Sequence, residues 1–149
     1  MYKNCAFTGH RINLSGLDLE LLDRVVLNLM KGGAKNFYCG MAQGFDLAAA
    51  ESVLKYKDEY GAKLIACIPC ANQTETFPEK SRQRYEKILE RCDTQIILAP
   101  SYFSGCMYRR NRFLVDNCDV LVSYLRSHRG GTFYTVNYAK KNNVNIIEL

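Results

Sequence analysis

Residues 36–51 read NFYCGMAQGFDLAAAE. Asn36–Cys39 joins aromatic and small apolar residues suited to a strand. Gly40 and Gly44 then bracket a turn, and an alanine-rich run over 45–57 reads as a helix that ends before Gly61. A strand passing through a glycine turn straight into a helix is the building unit of a parallel α/β sheet.

The same alternation runs through the rest of the chain. Strands are predicted at 4–8, 63–68, 95–98, 120–124 and 145–149. Several are apolar at successive positions (LIACI, IIL, VLV), as expected of strands covered on both faces. Between residues 8 and 36, Leu21, Leu22, Val25, Val26, Leu29 and Met30 form a helical stripe stopped by Gly32 and Gly33. A third helix is predicted to open at Thr76-Phe-Pro-Glu79, with Thr76 capping it and Glu79 closing a capping box. Two more are predicted at 107–117 and 132–141. The expected fold is therefore α/β and Rossmann-like, an open, mostly parallel sheet with helices on both faces, in one domain spanning 1–149.

Composition fits this reading. The chain has 149 residues, 48% hydrophobic and 23% charged, with three prolines and no low-complexity tract. A formal net charge of +5 suits anionic ligands but is mild for a nucleic-acid-binding surface. Seven cysteines, an odd number set mostly in apolar runs, point to reduced thiols packed as small hydrophobes. Neither a signal-peptide core nor a bilayer-length apolar run is present, so a cytoplasmic protein without membrane contact is expected.

In open parallel sheets, ligands bind in the loops beyond the strands' carboxyl ends. Those loops hold this sequence's unusual residues. After the first strand come Gly9, His10 and Arg11; after the second, Gly40 to Asp46; after the fifth, the run RSHRGGT ending in Gly130, Gly131 and Thr132. Gly40–Gly44 and Gly130–Thr132 stand at helix starts, where free amides and the dipole favour anions. Thr132 is a candidate cap or phosphate contact. Asp46, in the first turn of its helix, is either a dipole-favoured carboxylate or a group that meets ribose hydroxyls or takes part in catalysis. Glu51, a little over one turn later, is equally a candidate partner for a basic residue, and it ranks below Asp46 because it lies farther from the loop. Within MYRRNR, Arg109, Arg110 and Arg112 cannot all face one way, and Arg110 or Arg109 is a candidate phosphate fork. Tyr102 and Phe103 are candidates for stacking on a base or for ordinary packing. Neither glycine loop matches GxxxxGK[ST] or GxGxxG. The pair Cys67 and Cys70 has no second close cysteine pair to complete a zinc site. No metal and no cofactor is expected, and His10 and His128 lack an evident nucleophile.

Taken in order, TGHR, GMAQGFDLAAAE, IPC, RYEKIL, MYRRNRFLVD and GGTFYTVNYAKK resemble the SLOG superfamily, and more narrowly its YpsA/YoqJ-like branch of small stand-alone proteins. The superfamily is Rossmann-like and includes DNA-processing protein A and the Lonely Guy phosphoribohydrolases. The resemblance implies a site at Gly9, Arg11, Gly40, Gly44, Asp46, Arg110, Asn111, Gly130, Gly131 and Thr132. It also implies a homodimer, since members of the superfamily often pair. One departure bears on mechanism. Lonely Guy enzymes carry PGGxGTxxE with an essential glutamate, and here Thr135 stands at that position, leaving Asp46 or Asp116 as substitutes. The leading expectation is binding or sensing of a nucleotide or nucleotide-derived ligand, with Asp46 and Arg110 the catalytic candidates if there is turnover. The alternatives are an N-glycosidic-bond hydrolase or transferase acting on a nucleoside phosphate, and single-stranded DNA binding.

Overall fold

The structure, a computed structural model, describes residues 1–149. Its strands are β1 (Asn4–Gly9), β2 (Asn36–Cys39), β3 (Lys63–Ile68), β4 (Thr94–Ile97), β5 (Val120–Tyr124) and β6 (Asn145–Glu148). Five helices join them: α1 (Leu19–Lys31), α2 (Phe45–Tyr60), α3 (Glu79–Arg91), α4 (Cys106–Asp116) and α5 (Gly131–Lys141). The strands make one sheet in the order β4-β3-β2-β1-β5-β6, parallel throughout.

Strand alternation divides the core into two layers. Cys5, Phe7, Val120, Val122 and Tyr124 point to the side covered by α1, α2 and α3. Ala6 and Leu121 point to the other side, where Leu114 of α4 and Val136 and Ala139 of α5 cover them. Sequence patterning anticipated both layers because β1, β3 and β5 are buried on successive residues. No helix is long and apolar enough to cross a membrane.

The predicted capping box is corrected. Gln73–Thr76 forms a short 3-10 turn and Phe77 is extended, so α3 starts at Glu79 with Pro78 as its cap residue and no side-chain cap. Thr76 is spent in the earlier turn. Glu79 is the first residue of α3 and instead accepts hydrogen bonds from Arg82 and Gln83 along the helix.

Strand order places the functional edge. From β1 the chain moves outward through β2, β3 and β4, then returns across the sheet to β5 beside β1. The carboxyl ends of β1 and β5 therefore diverge into loops on opposite faces, which opens a crevice between them. In register, Gly9 lies opposite Tyr124 at its floor. A Cβ at Gly9 would overlap the ring of Phe45, which stacks on Tyr124 at a centroid distance of 6.0 Å. Gly9→Ala is expected to destabilise the fold by about 1–3 kcal/mol through overpacking. Urea titrations at constant m-value check this: the cost should shrink in a Phe45→Ala background, and equal costs in both backgrounds would place the clash elsewhere.

Candidate functional site

A cavity of about 940 Å³ occupies this crevice. Gly9, His10 and Arg11 line it from the end of β1, and Asp46 from the start of α2. Arg110 and Asn111 enter from α4, and Gly130, Gly131 and Thr132 from the start of α5. The other two expected residues, Gly40 and Gly44, do not reach the wall. Gly40 is covered by Arg110, whose side chain lies about where a Cβ would stand. Gly44, at φ 83°, packs on the backbone of Arg11. Both glycines are thus required by close approach within the protein, behind the cavity wall.

Arg110 is 5% exposed. Its Nη1 donates to the carbonyl of Gly40 and its Nε donates to Asn111 Oδ1 at 2.8 Å. No ion pair within 4.0 Å involves this guanidinium. Arg109 is exposed, and Arg112 donates to the hydroxyl of Tyr134 at 3.1 Å, so only one arginine of the cluster turns into the cavity.

Asp46, also 5% exposed, accepts from the Ala42 amide at 3.2 Å through Oδ2, while its Oδ1 is buried with no donor. Burial pushes its carboxyl up from 3.8 to about 6; the Arg110 charge, the Ala42 amide and Arg11 oppose the rise. Gln73, which sequence reasoning passed over, donates through Nε2 to the Gly40 carbonyl at 3.3 Å and leaves Oε1 buried and unmatched.

The two glycine-rich helix starts differ. At α2, the Phe45 amide donates to the His10 carbonyl at 3.0 Å, and Asp46 sets a carboxylate in the first turn. That end is closed by the protein itself. At α5, Gly130 is the cap residue at φ 94°, no side chain caps the helix, and no acidic residue lies in its first turn. Tyr134 is the first residue whose amide is taken up, by the Gly130 carbonyl at 3.0 Å, so the amides of Gly131, Thr132 and Phe133 precede the ladder. A Cβ on Gly130 would meet nothing within 4 Å. Arg126 and Arg129 flank this open end on the cavity wall. His10 ties the loop down, its Nε2 accepting from the Arg126 amide at 2.7 Å. Burial, helped by the Arg126 charge, lowers the imidazole's pKa, which suits a neutral acceptor. The guanidinium of Arg126 rests 4.4 Å from the centre of the Tyr124 ring.

Four arginines thus face one cavity with a single carboxylate. Arg126 and Arg129 were not singled out in the sequence, although they lie within RSHRGGT, four residues and one residue before Gly130. Tyr108 lines the wall, whereas the stacking candidates Tyr102 and Phe103 do not. Of the two readings open for Glu51 the structure shows the structural one, a pair with Arg84 at 2.6 Å outside this cavity. Thr135 is fully buried and donates to the Gly131 carbonyl at 2.7 Å, and Asp116 lies outside the cavity as acceptor for the Tyr138 hydroxyl. All seven cysteines are free, and no group of side chains suits a metal ion.

Fold and site together define a Rossmann-like domain with a cationic crevice at its topological switch point. The chain belongs to the YspA SLOG family, whose model matches residues 5–147. It is similar to a UPF0398 protein of Bacillus cereus, 31% identical over 126 residues, covering 82% of this chain and 68% of the relative. Among solved structures it resembles DNA processing protein A from Streptococcus pneumoniae, with a TM-score of 0.71 and 19% identity over 99% of this chain. The chain spans 50% of that protein's length. DNA processing protein A from Helicobacter pylori, a single-stranded DNA binder, gives a TM-score of 0.72 at 19% identity, over 98% of this chain and 64% of that one. A molybdenum cofactor binding protein from Rippkaea orientalis gives 0.64 at 16% identity, over 99% of this chain and 76% of that one. At such identities these structures share the fold.

Asp46 gives the site a pH signature. Its pKa is higher folded than unfolded, so its ionisation reduces stability as pH rises from about 4 to about 6, and the loss persists above that. Asp46→Asn should gain on the parent by up to about 3 kcal/mol between pH 4 and neutrality. Denaturant midpoints across that range check it; a pH-independent difference would mean that Asp46 does not titrate there.

Proposed function

We propose that this domain binds a phosphorylated, nucleotide-derived ligand, with a phosphoryl group seated on the first amides of α5. The observation that carries the reading is the contrast between the helix starts: α5 is uncapped and flanked by Arg126 and Arg129, whereas α2 is closed by its own carboxylate and a carbonyl. An uncapped helix start among arginines favours a multiply charged anion through amide hydrogen bonds, dipole and charge together. Arg110 supplies a further cation from below, and Asp46 and Gln73 offer acceptors to the hydroxyl-bearing part of the ligand.

A binding or sensing role fits better than hydrolysis. Cleavage of an N-glycosidic bond passes through an oxocarbenium-like state that a carboxylate stabilises. The residue standing for the enzymes' glutamate is Thr135, whose hydroxyl is already engaged, and Asp46 is the only carboxylate on the wall. Single-stranded DNA is the second reading, favoured by exposed Tyr102 and Phe103 on the loop before α4 and by the likeness to a DNA-binding relative.

Thermal unfolding against nucleoside monophosphates, diphosphate-linked dinucleotides and cyclic nucleotides tests the proposal. Ligand at a hundred times its Kd should add about 2.7 kcal/mol, or several degrees in Tm at this chain length. Removing both Arg126 and Arg129, whose side chains are exposed, should leave the unliganded Tm nearly unchanged and weaken binding at least about tenfold. A flat nucleotide panel would remove this reading. Binding to a DNA strand that falls steeply with salt would put the second in its place.

A further inference from the structure

The cavity carries a second feature that phosphate binding leaves unused. Of the large apolar side chains exposed on this protein, two stand on the cavity wall: Tyr108 of α4, 42% exposed, and Ile12 of the β1–α1 loop, 67% exposed. They come from elements on opposite faces of the sheet.

Tyr108 is held in place. Its ring meets that of Tyr134 edge-to-face, with centroids 4.7 Å apart and an angle of 80°. Tyr134 in turn stacks on Tyr138 at 6.2 Å and accepts from Arg112, while the Tyr138 hydroxyl donates to Asp116 at 2.9 Å. A T-shaped contact occupies at most one face of Tyr108. Tyr108 also lies three residues before Asn111, on the same side of α4. Asn111 Nδ2 comes within 3.6 Å of the Cβ position at Gly131, the first residue of α5. An aromatic platform therefore stands about one helical turn, about 5 Å, from a residue that lies beside the uncapped start of α5. That spacing suits a pentose between a phosphoryl group and a planar ring.

We propose that Tyr108 is a stacking platform for the nucleobase of the ligand, with Ile12 bordering the same subsite from the opposite wall. This rests on the phosphate reading above and deepens it: the ligand is a nucleotide whose ring contributes to affinity, and a sugar phosphate alone is a poor substitute. Stacking tolerates any base, since each has a π-face, so the platform gives preference for nucleotides over other phosphates more than for one base.

The experiment is calorimetric titration of the parent, Tyr108→Ala and Tyr108→Phe with AMP, ribose 5-phosphate and a short oligothymidylate. Circular dichroism would verify that each variant is folded. The expected result is that AMP binds more tightly than ribose 5-phosphate. Tyr108→Ala should weaken AMP about 5- to 100-fold, Tyr108→Phe should retain binding, and ribose 5-phosphate should be unaffected by either change. Tyr108-dependent binding of the oligonucleotide but not of AMP would also support stacking and identify the ring's source as a strand. Equal affinity for AMP and ribose 5-phosphate, insensitive to Tyr108→Ala, would overturn the stacking proposal and leave the phosphate site standing. Binding of none of the three would overturn both.

Discussion

A buried guanidinium without a carboxylate partner organises this protein's functional edge. Arg110 leaves α4 on one face of the sheet and ends on the carbonyl of Gly40, at the end of β2. Taking a cation out of water costs several kcal/mol unless hydrogen bonds or opposite charge offset it. Here the offset comes from a backbone carbonyl, an asparagine oxygen and a more distant aspartate. Gly40 must lack a side chain for the guanidinium to fit, and Gln73 shares the same carbonyl. The contact joins α4, the β2–α2 turn and the turn before α3, so the cavity floor is held from both sides of the sheet.

From that constraint follows the asymmetry between the two glycine-rich turns. With Arg110 beneath it and Arg11 against it, the β2–α2 turn is packed inside the protein, and α2 begins on a carbonyl with its own carboxylate in the first turn. The β5–α5 turn faces open space and is fastened by the backbone-to-imidazole bond at His10. One turn is packed scaffold and the other is open to the cavity. The cation excess lies beside the open turn, which is the electrostatic condition that the proposed phosphate site requires.

Most of the fold was legible in the sequence. Runs such as LIACI and VLV are apolar at every position because parallel strands are covered twice, and glycines mark four of the five passages from strand to helix. Nine of the eleven expected site residues line the cavity because loops at the carboxyl ends of parallel strands converge wherever strand order reverses. What the sequence did not separate was the purpose of each glycine: Gly40 and Gly130 look alike in one dimension, and only the third shows an arginine lying on one and space above the other. The capping box at Thr76 failed because a local 3-10 turn competes for the same residues. Tyr108 escaped notice since exposure of one helical face depends on which side of α4 packs, while its spacing of three from Asn111 was available as a signal.

An amide-resolved NMR titration with a nucleoside monophosphate tests the central claim most directly. The account requires saturable shifts at the amides of Gly131, Thr132 and Phe133, with those of Phe45, Asp46 and Leu47 changing far less. Larger shifts at the start of α2 than at the start of α5, or changes scattered without saturation, would contradict it.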